Sequence, residues 1–276
     1  MTSVVARVLE NERVEGGCHR LLAEVEGAEG GRWPGSAPGQ FTMLSTDHPR
    51  FPLLPRPFSL LASRHEGGRD LLEWMIMPVG VGTAILCTLK QGEALNVVGP
   101  LGGSMADDLP DGAPICVAGG YGVAPFIYLL EHWRAAGDPR ADSATVVFGA
   151  RTAERLSLAS RLESACKNVE LCTDDGTRGF HGRVDARLAE LLDANAAPIV
   201  LTCGPDPMME AVGRLCRERG VPARASLETV MGCGYAVCNG CAVTVEDASQ
   251  PDGYTYELAC REGTVFDESR LHWHQA

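Results

Sequence analysis

The 276-residue chain is 45% hydrophobic and 22% charged, which excludes a disordered or fibrous protein and leaves room for roughly two or three packed domains. Its formal net charge of −12 excludes a nucleic-acid or anionic-membrane binder that depends on lysine and arginine. No apolar run is long enough to span a membrane and no basic-then-apolar leader is visible, so a cytoplasmic protein is expected. In that compartment the eleven cysteines read as metal ligands or buried thiols rather than disulfides.

Short apolar stretches at 4–10, 21–26, 38–44, 58–62 and 71–77 are broken by glycine and proline at close intervals, the pattern of a small antiparallel barrel. A helix is predicted over 83–89 with Thr83 as its cap, and a stretch at 95–103 closes the barrel. Near Pro110 the pattern changes. Strands at 114–118, 144–150, 169–173 and 198–203 alternate with helices ending near 136 and spanning 154–166, 184–192 and 207–219, which predicts a parallel sheet. The last part holds a cysteine-rich loop and a hairpin, 242–246 with 254–258, joined by 247–253. The expected fold class is multi-domain β plus α/β: an antiparallel β-barrel over 1–108, a parallel-sheet α/β domain over 109–222 and a small C-terminal cluster domain over 223–276.

Cys233, Cys238, Cys241 and Cys260 are spaced C-x4-C-x2-C-x18-C, the plant-type [2Fe–2S] arrangement. Gly232, Gly234 and Gly240 allow a tight loop around the first three thiolates, and the fourth is expected from a hairpin strand. Structural zinc usually takes two short ligand pairs; here there is a triple and a singleton, with no histidine near. Cys116, Cys166, Cys172 and Cys216 fall in apolar or periodic segments and read as core packing. His19, His48, His65, His132 and His181 show no ligand spacing and are expected on the surface or in loops.

Three glycine- or arginine-bearing motifs suggest nucleotide cofactors. In Arg56-Pro57-Phe58-Ser59, Arg56 suits a phosphate and Ser59 a ring nitrogen, although an arginine on a strand is also an ordinary solvated residue. Gly80-Val81-Gly82-Thr83 opens a helix whose free N–H groups suit a pyrophosphate; alone it also reads as a plain capped turn. Together they suggest a flavin dinucleotide outside the barrel. Gly119-Gly120-Tyr121-Gly122 follows a strand and opens a helix, so its glycines allow a second dinucleotide to approach the backbone, though the spacing is not G-x-G-x-x-G. The Cys203-Gly204-Pro205 turn ends a strand at the sheet's carboxyl edge, where ligands of open parallel sheets bind. Cys203 reads there either as a nicotinamide contact or as a small buried residue before a tight turn.

In this order, Arg-Pro-Phe-Ser, Gly-Val-Gly-Thr, Gly-Gly-Tyr-Gly-Val-Ala-Pro and Cys-Gly-Pro-Asp-Pro-Met resemble the ferredoxin–NADP reductase superfamily. With the Met-Gly-Cys-Gly-x3-Cys-x-Gly-Cys loop, the whole chain resembles the electron-transfer subunits of NAD-dependent (class 1B) dihydroorotate dehydrogenases. The resemblance implies FAD, one [2Fe–2S] cluster, NAD and an FMN-containing dihydroorotate dehydrogenase catalytic subunit as partner, two of each subunit in a heterotetramer. Carried over by motif, Arg56, Pro57, Phe58, Ser59, Met75, Ile76, Met77, Gly82 and Thr83 would hold FAD. Gly119, Gly120, Gly122, Cys203 and Gly204 would meet NAD, and Cys233, Cys238, Cys241 and Cys260 would hold the cluster.

Two departures stand out: Ala236 occupies a place where the family loop commonly has glycine, and the gap before Cys260 is long. No acid–base residue is named, because the cofactors carry the reaction: NAD takes a hydride, a cluster passes single electrons, and a flavin handles both. The isolated chain is therefore expected to show only NADH diaphorase activity, with the tip at Tyr235, Ala236 and Val237 facing the partner. Arg151 and Arg155 would favour NADP; the Asp174-Asp175 pair and the resemblance favour NAD. The alternatives are a related reductase subunit of the ferredoxin–NADP transhydrogenase or sulfide dehydrogenase type, and a zinc-containing binding module.

Overall fold

The structure, a computed structural model, describes residues 1–26, 33–194 and 198–273. Six antiparallel strands, β1 (Thr2–Arg13), β2 (His19–Val25), β3 (Phe41–Ser45), β4 (Arg56–Glu66), β5 (Arg69–Ile76) and β6 (Ala94–Leu101), close a barrel in the order β1-β2-β5-β4-β3-β6. Alternation builds it: Val4, Ala6 and Val8 of β1 and Leu95 and Val97 of β6 are buried while their neighbours are more open. β5 breaks this rule and is buried at every position from 71 to 76. Leu72, Trp74 and Ile76 fill the barrel, and Met75 on the opposite face joins the core of the following unit.

The helix expected over 83–89 is α1 (Val81–Leu86), which starts earlier. Thr83 is its third residue rather than its cap, because its hydroxyl reaches back to accept the N–H groups of Val79 (3.0 Å) and Gly80 (2.9 Å). Leu86 is fully buried, and Asn11 Nδ2 donates to the Leu86 and Leu89 carbonyls, both at 2.9 Å, which ties the helix end to β1.

From β7 (Ala113–Gly119) the chain continues through α2 (Ala124–Ala136), α3 (Arg140–Ser143), β8 (Thr145–Ala150), α4 (Ala159–Ala165), β9 (Asn168–Thr173), β10 (Phe180–His181), α5 (Val184–Ala194), β11 (Pro198–Cys203), α6 (Asp206–Arg219) and β12 (Ala223–Ser226). The final segment holds β13 (Ala242–Glu246), β14 (Tyr254–Leu258), α7 (Ala259–Glu262) and β15 (Val265–Asp267). The second sheet runs β10-β9-β8-β7-β11-β12-β15, parallel except for β15, which pairs antiparallel with β12.

The helix expected over 154–166 is broken. A 3-10 turn covers Ala153–Arg155, and α4 begins only after Leu158, whose φ is +56°. Leu156, Ser157 and Leu158 are all buried, and Ser157 Oγ lies 3.2 Å from Cys18 Sγ at the end of the β1–β2 connection. Three successive inward side chains cannot lie on one helical stripe, so this contact with the barrel wins over the local pattern.

β12, β15 and α7 were not expected, and they weave the last segment into the rest of the chain. One apolar core joins Phe41, Met43 and Leu101 of the barrel, Met209 and Ala225 of the second unit, and Met231, Cys241, Val245, Cys260 and Phe266 of the last segment. Glu268, almost fully buried just past β15, pairs with Arg217 of α6 and accepts from Trp273 Nε1 at 3.0 Å.

The barrel and the second unit share a second link. Glu73 of β5 is 1% exposed. It accepts from Arg20 Nε of β2 at 2.5 Å and from Arg161 Nη1 of α4 at 2.7 Å, with Arg64 at 3.6 Å. Arg161 also reaches Glu131 of α2 at 2.8 Å. Burial acts to push the Glu73 carboxyl up, but Arg161 and Arg20 prevail and hold it below the usual carboxylate range.

Candidate redox site

Cys233, Cys238 and Cys241 stand on the loop between β12 and β13. Cys260 is the second residue of α7, two positions past the end of β14, rather than part of a hairpin strand. Cys241 Sγ and Cys260 Sγ are 3.0 Å apart, far longer than a disulfide bond. Cys233 and Cys238 form a second pair, the Cys238 side chain hydrogen-bonding to the Cys233 sulfur. Among the described residues no three ligating side chains converge on a single-ion site. The sulfurs are grouped two and two, the distribution a two-iron cluster uses.

Backbone donors surround these sulfurs. Tyr235 and Val237 N–H point at Cys233 Sγ (3.4 and 3.3 Å), Ala236 N–H at Cys260 Sγ (3.1 Å), and Cys260 N–H at Cys241 Sγ (3.4 Å). Desolvation opposes ionisation of Cys233, but the donors from Tyr235, Cys238 and Val237 prevail and lower its pKa to about 6, toward the thiolate form a metal needs. Cys260 is pushed up to about 11, first by desolvation and then by the Cys241 thiol beside it. Two adjacent sulfurs resist ionising together unless a cation lies between them, so this donor set fits an iron–sulfur cluster. Ala236 adopts φ +63° to aim its N–H, a conformation in which glycine carries no penalty.

The loop is seated on the barrel. A Cβ at Gly234 would collide with Met43 of β3, and one at Gly232 would come within 3.3 Å of Cys238 Sγ and 3.7 Å of Leu54. Its other side is open: Tyr235 is 47% and Val237 74% exposed, with Val230 also exposed.

The Arg56–Ser59 motif lies at the start of β4, where Ser59 pairs with Phe41 and Phe58 with Thr42 of β3. Arg56 Nη1 donates to the Leu54 and Pro55 carbonyls at 3.1 and 3.3 Å. A Cβ at Gly82 would lie 3.5 Å from Arg56 Nε, so the guanidinium sits against the first turn of α1. The first intrahelical bond of α1 is Ala84 N–H to Gly80 O at 2.8 Å, so the N–H groups of Val81, Gly82 and Thr83 precede it. A guanidinium beside a helix's first turn fits a pyrophosphate. Met75 and Ile76, at the end of β5, are buried, and Met77 just beyond is half-buried.

A cleft of about 840 Å³ opens at the carboxyl edge of the second sheet. It lies where β7 and β11 are neighbours and the chain switches direction, the usual ligand position in such sheets. The Gly119-Gly120-Tyr121-Gly122 run borders it, but its glycines divide the work. At Gly119 a Cβ would press on Met208 and Pro205, and at Gly122 it would run into the backbone of Cys203 and Gly204. Those two glycines are required by packing against the β11 turn. Gly120, at φ +53° with nothing near its Cβ position, leaves the backbone open to a ligand. Cys203 is 1% exposed and does not line the cleft, whereas Gly204 does.

Motif reading missed several lining residues: Arg183 and Asp185, which pair at 3.0 Å, and Glu228 just beyond β12. Only the position of Glu228 beyond a short strand could have signalled it, and β12 was not recognised. Arg151 and Arg155 are exposed in the cleft, with no ion pair among the described residues. Glu228 is exposed to the cleft, yet the walls crowding around it and the like charge of Asp206 hold its carboxyl above the usual range. No helix among the described residues is long and apolar enough to cross a membrane.

A closed antiparallel barrel, a parallel sheet with a ligand cleft at its switch point, and four paired cysteines define an iron–sulfur oxidoreductase of the ferredoxin reductase fold class. Residues 116–214 match the oxidoreductase NAD-binding domain family, and residues 228–272 match the iron–sulfur cluster binding domain of dihydroorotate dehydrogenase B. The chain is 33% identical over 239 residues to a dihydroorotate dehydrogenase B (NAD(+)) electron transfer subunit of Desulforamulus reducens, covering 86% of this chain and 87% of the relative. It is 30% identical to the Clostridium acetobutylicum protein of that description, covering 97% and 96%. Among solved structures, one of an NADH-dependent reduced ferredoxin–NADP oxidoreductase aligns with TM-score 0.78 at 24% identity, over 97% of this chain and 90% of that one. A Neisseria gonorrhoeae ferredoxin NADP+ reductase with bound FAD and NADP aligns with TM-score 0.62 at 17% identity, over 80% and 92%. The chain belongs to the family of dihydroorotate dehydrogenase B electron transfer subunits.

Proposed function

We propose that this protein is the electron-transfer subunit of an NAD-dependent dihydroorotate dehydrogenase in pyrimidine biosynthesis, linking the FMN of a catalytic subunit to NAD+. When bound, the [2Fe–2S] cluster, FAD and NAD supply one-electron relay, exchange between one- and two-electron steps, and hydride acceptance. Three working units are proposed: 1–108 for FAD, 109–222 for NAD and 223–276 for the cluster. Arg56 and the first turn of α1, with Gly82 and Thr83, are assigned to the FAD pyrophosphate. Pro57, Phe58, Ser59 and the backbone of Met75, Ile76 and Met77 are assigned to the rest of the flavin. Gly119, Gly120, Gly122, Cys203 and Gly204 form or support the NAD cleft, and Cys233, Cys238, Cys241 and Cys260 ligate the cluster.

One observation carries this reading. The cysteine loop rests on β3 of the barrel on one side and is exposed on the other, so it bridges a surface and the proposed flavin unit. The exposed side carries apolar Val230, Tyr235 and Val237, the surface an FMN-bearing catalytic subunit would cover. The assembly proposed is a cytoplasmic heterotetramer with two of each subunit. As a test, the purified chain should be brown-yellow with about two irons and one FAD. Cys238→Ser should lose most of the iron and keep FAD. Mixed with the FMN-bearing subunit, the wild type should support dihydroorotate-dependent NAD+ reduction; alone, only NADH diaphorase activity. Stoichiometric zinc in anaerobically prepared protein, or dihydroorotate oxidation by the isolated chain, would overturn the reading.

A further inference from the structure

We infer that Glu228 selects the oxidation state of the nicotinamide: its carboxylate favours the cationic, oxidised ring over the neutral, reduced one. The inference rests on the dinucleotide reading of the cleft given above. Strands β7, β11 and β12 are consecutive in the sheet, and just past their carboxyl ends stand Tyr121, Gly204 and Glu228, all lining the cleft. Gly204, at φ +155°, is packed so closely on Gly119 that a Cβ would lie 3.0 Å from the Gly119 Cα. The floor of this notch is therefore the closely packed backbone of Gly119 and Gly204 with the uncharged Met208 side chain against it, flanked by an aromatic residue and a carboxylate.

Glu228 is close enough to Tyr121 and Cys203 to disfavour ionisation of both, while Arg155 acts on Tyr121 in the opposite sense and more strongly, so Tyr121 stands between the cleft's positive and negative parts. It has no hydrogen-bond or ion-pair partner among the described residues, and Asp206 is the charged neighbour that acts on it. The cleft's cations lie across the sheet. Arg151 and Arg155 follow β8 and Arg183 follows β10, on the far side of β7, where Asp174 and the Arg183-paired Asp185 offset them only in part.

The cleft is thus polarised, net positive toward β8 and negative beyond β12. An oxidised nicotinamide dinucleotide has the same separation in reverse, with anionic phosphates at one part and a cationic ring at the end. Reduction by hydride removes the ring's charge and leaves its shape nearly unchanged. A lone carboxylate in a partly dehydrated notch responds to that difference, because a nearby opposite charge is worth more there than in bulk water. A neutral hydrogen-bond acceptor would hold the carboxamide equally in both states.

The test is calorimetric binding to the full-length flavoprotein. The probes are NAD+ and its 1,4,5,6-tetrahydro analogue, which is neutral and gives no hydride. Glu228→Gln should weaken NAD+ binding about tenfold, close to 1.4 kcal/mol, and the neutral analogue by less than about twofold. Glu228→Asp, which keeps the charge, should retain most of the preference for NAD+. Equal weakening of both ligands by Glu228→Gln would show a positioning or structural role and overturn the inference, as would no change in either. Wild-type protein that binds neither probe would instead refute the dinucleotide reading of the cleft itself.

Discussion

Glu73→Gln tests whether the barrel and the second unit are held together by a buried charge. The substitution keeps the side chain's shape and removes the charge that Arg20 and Arg161 share at 2.5 and 2.7 Å. Removing one partner of a buried ion pair typically costs about 3–5 kcal/mol, because the other charge stays dehydrated. Here Arg161 keeps Glu131, and Arg20 keeps Glu10 and Glu12, both at 2.7 Å. The lower end, about 3 kcal/mol, is therefore expected. For a chain of this length that is about 6 °C in Tm, at about 2 °C per kcal/mol.

The pH dependence has a definite sign. A folded-state carboxyl held below its usual pKa contributes stability above the unfolded value, near 4.3 for glutamate, and loses it as pH falls. The gap between wild type and variant should be full at pH 7 and shrink below about pH 4.3. Thermal unfolding of the flavin-loaded chain at both pH values measures it. A gap under about 1 kcal/mol at neutral pH, of the size usual for exposed pairs, or one that persists unchanged in acid, would refute the reasoning.

Ala236→Val places a β-branched side chain at φ +63°, where even alanine is strained; a further cost of about 1–2 kcal/mol is expected, read as faster iron loss to a chelator, with Ala236→Gly at least as stable as wild type. Iron retention by the valine variant equal to wild type would count against the assigned role of the Ala236 N–H. Val237→Glu puts a charge on a residue 74% exposed in the free chain, and should weaken assembly with the catalytic subunit by about 3 kcal/mol while sparing NADH diaphorase activity; equal loss of both activities would contradict the proposed division of surfaces.

Much of the molecule was legible in the residues. The period-two barrel strands, the alternation of strands and helices after Pro110, and the C-x4-C-x2-C loop all rest on local chemistry: side-chain direction along a strand, turn-forming glycine and proline, and thiolate spacing. Tertiary contact decided the rest. Leu156 to Leu158 abandoned a helical pattern because Ser157 meets Cys18 of the barrel. Two glycines of the Gly119–Gly122 run are required by the β11 turn that packs on them, a role their spacing cannot distinguish from phosphate approach. β15 crosses back to pair with β12, and Glu228 enters the cleft because β12 lies beside β11. Local sequence sets which backbone angles and faces are favourable, but only the closed fold determines which distant residue excludes water from which charge.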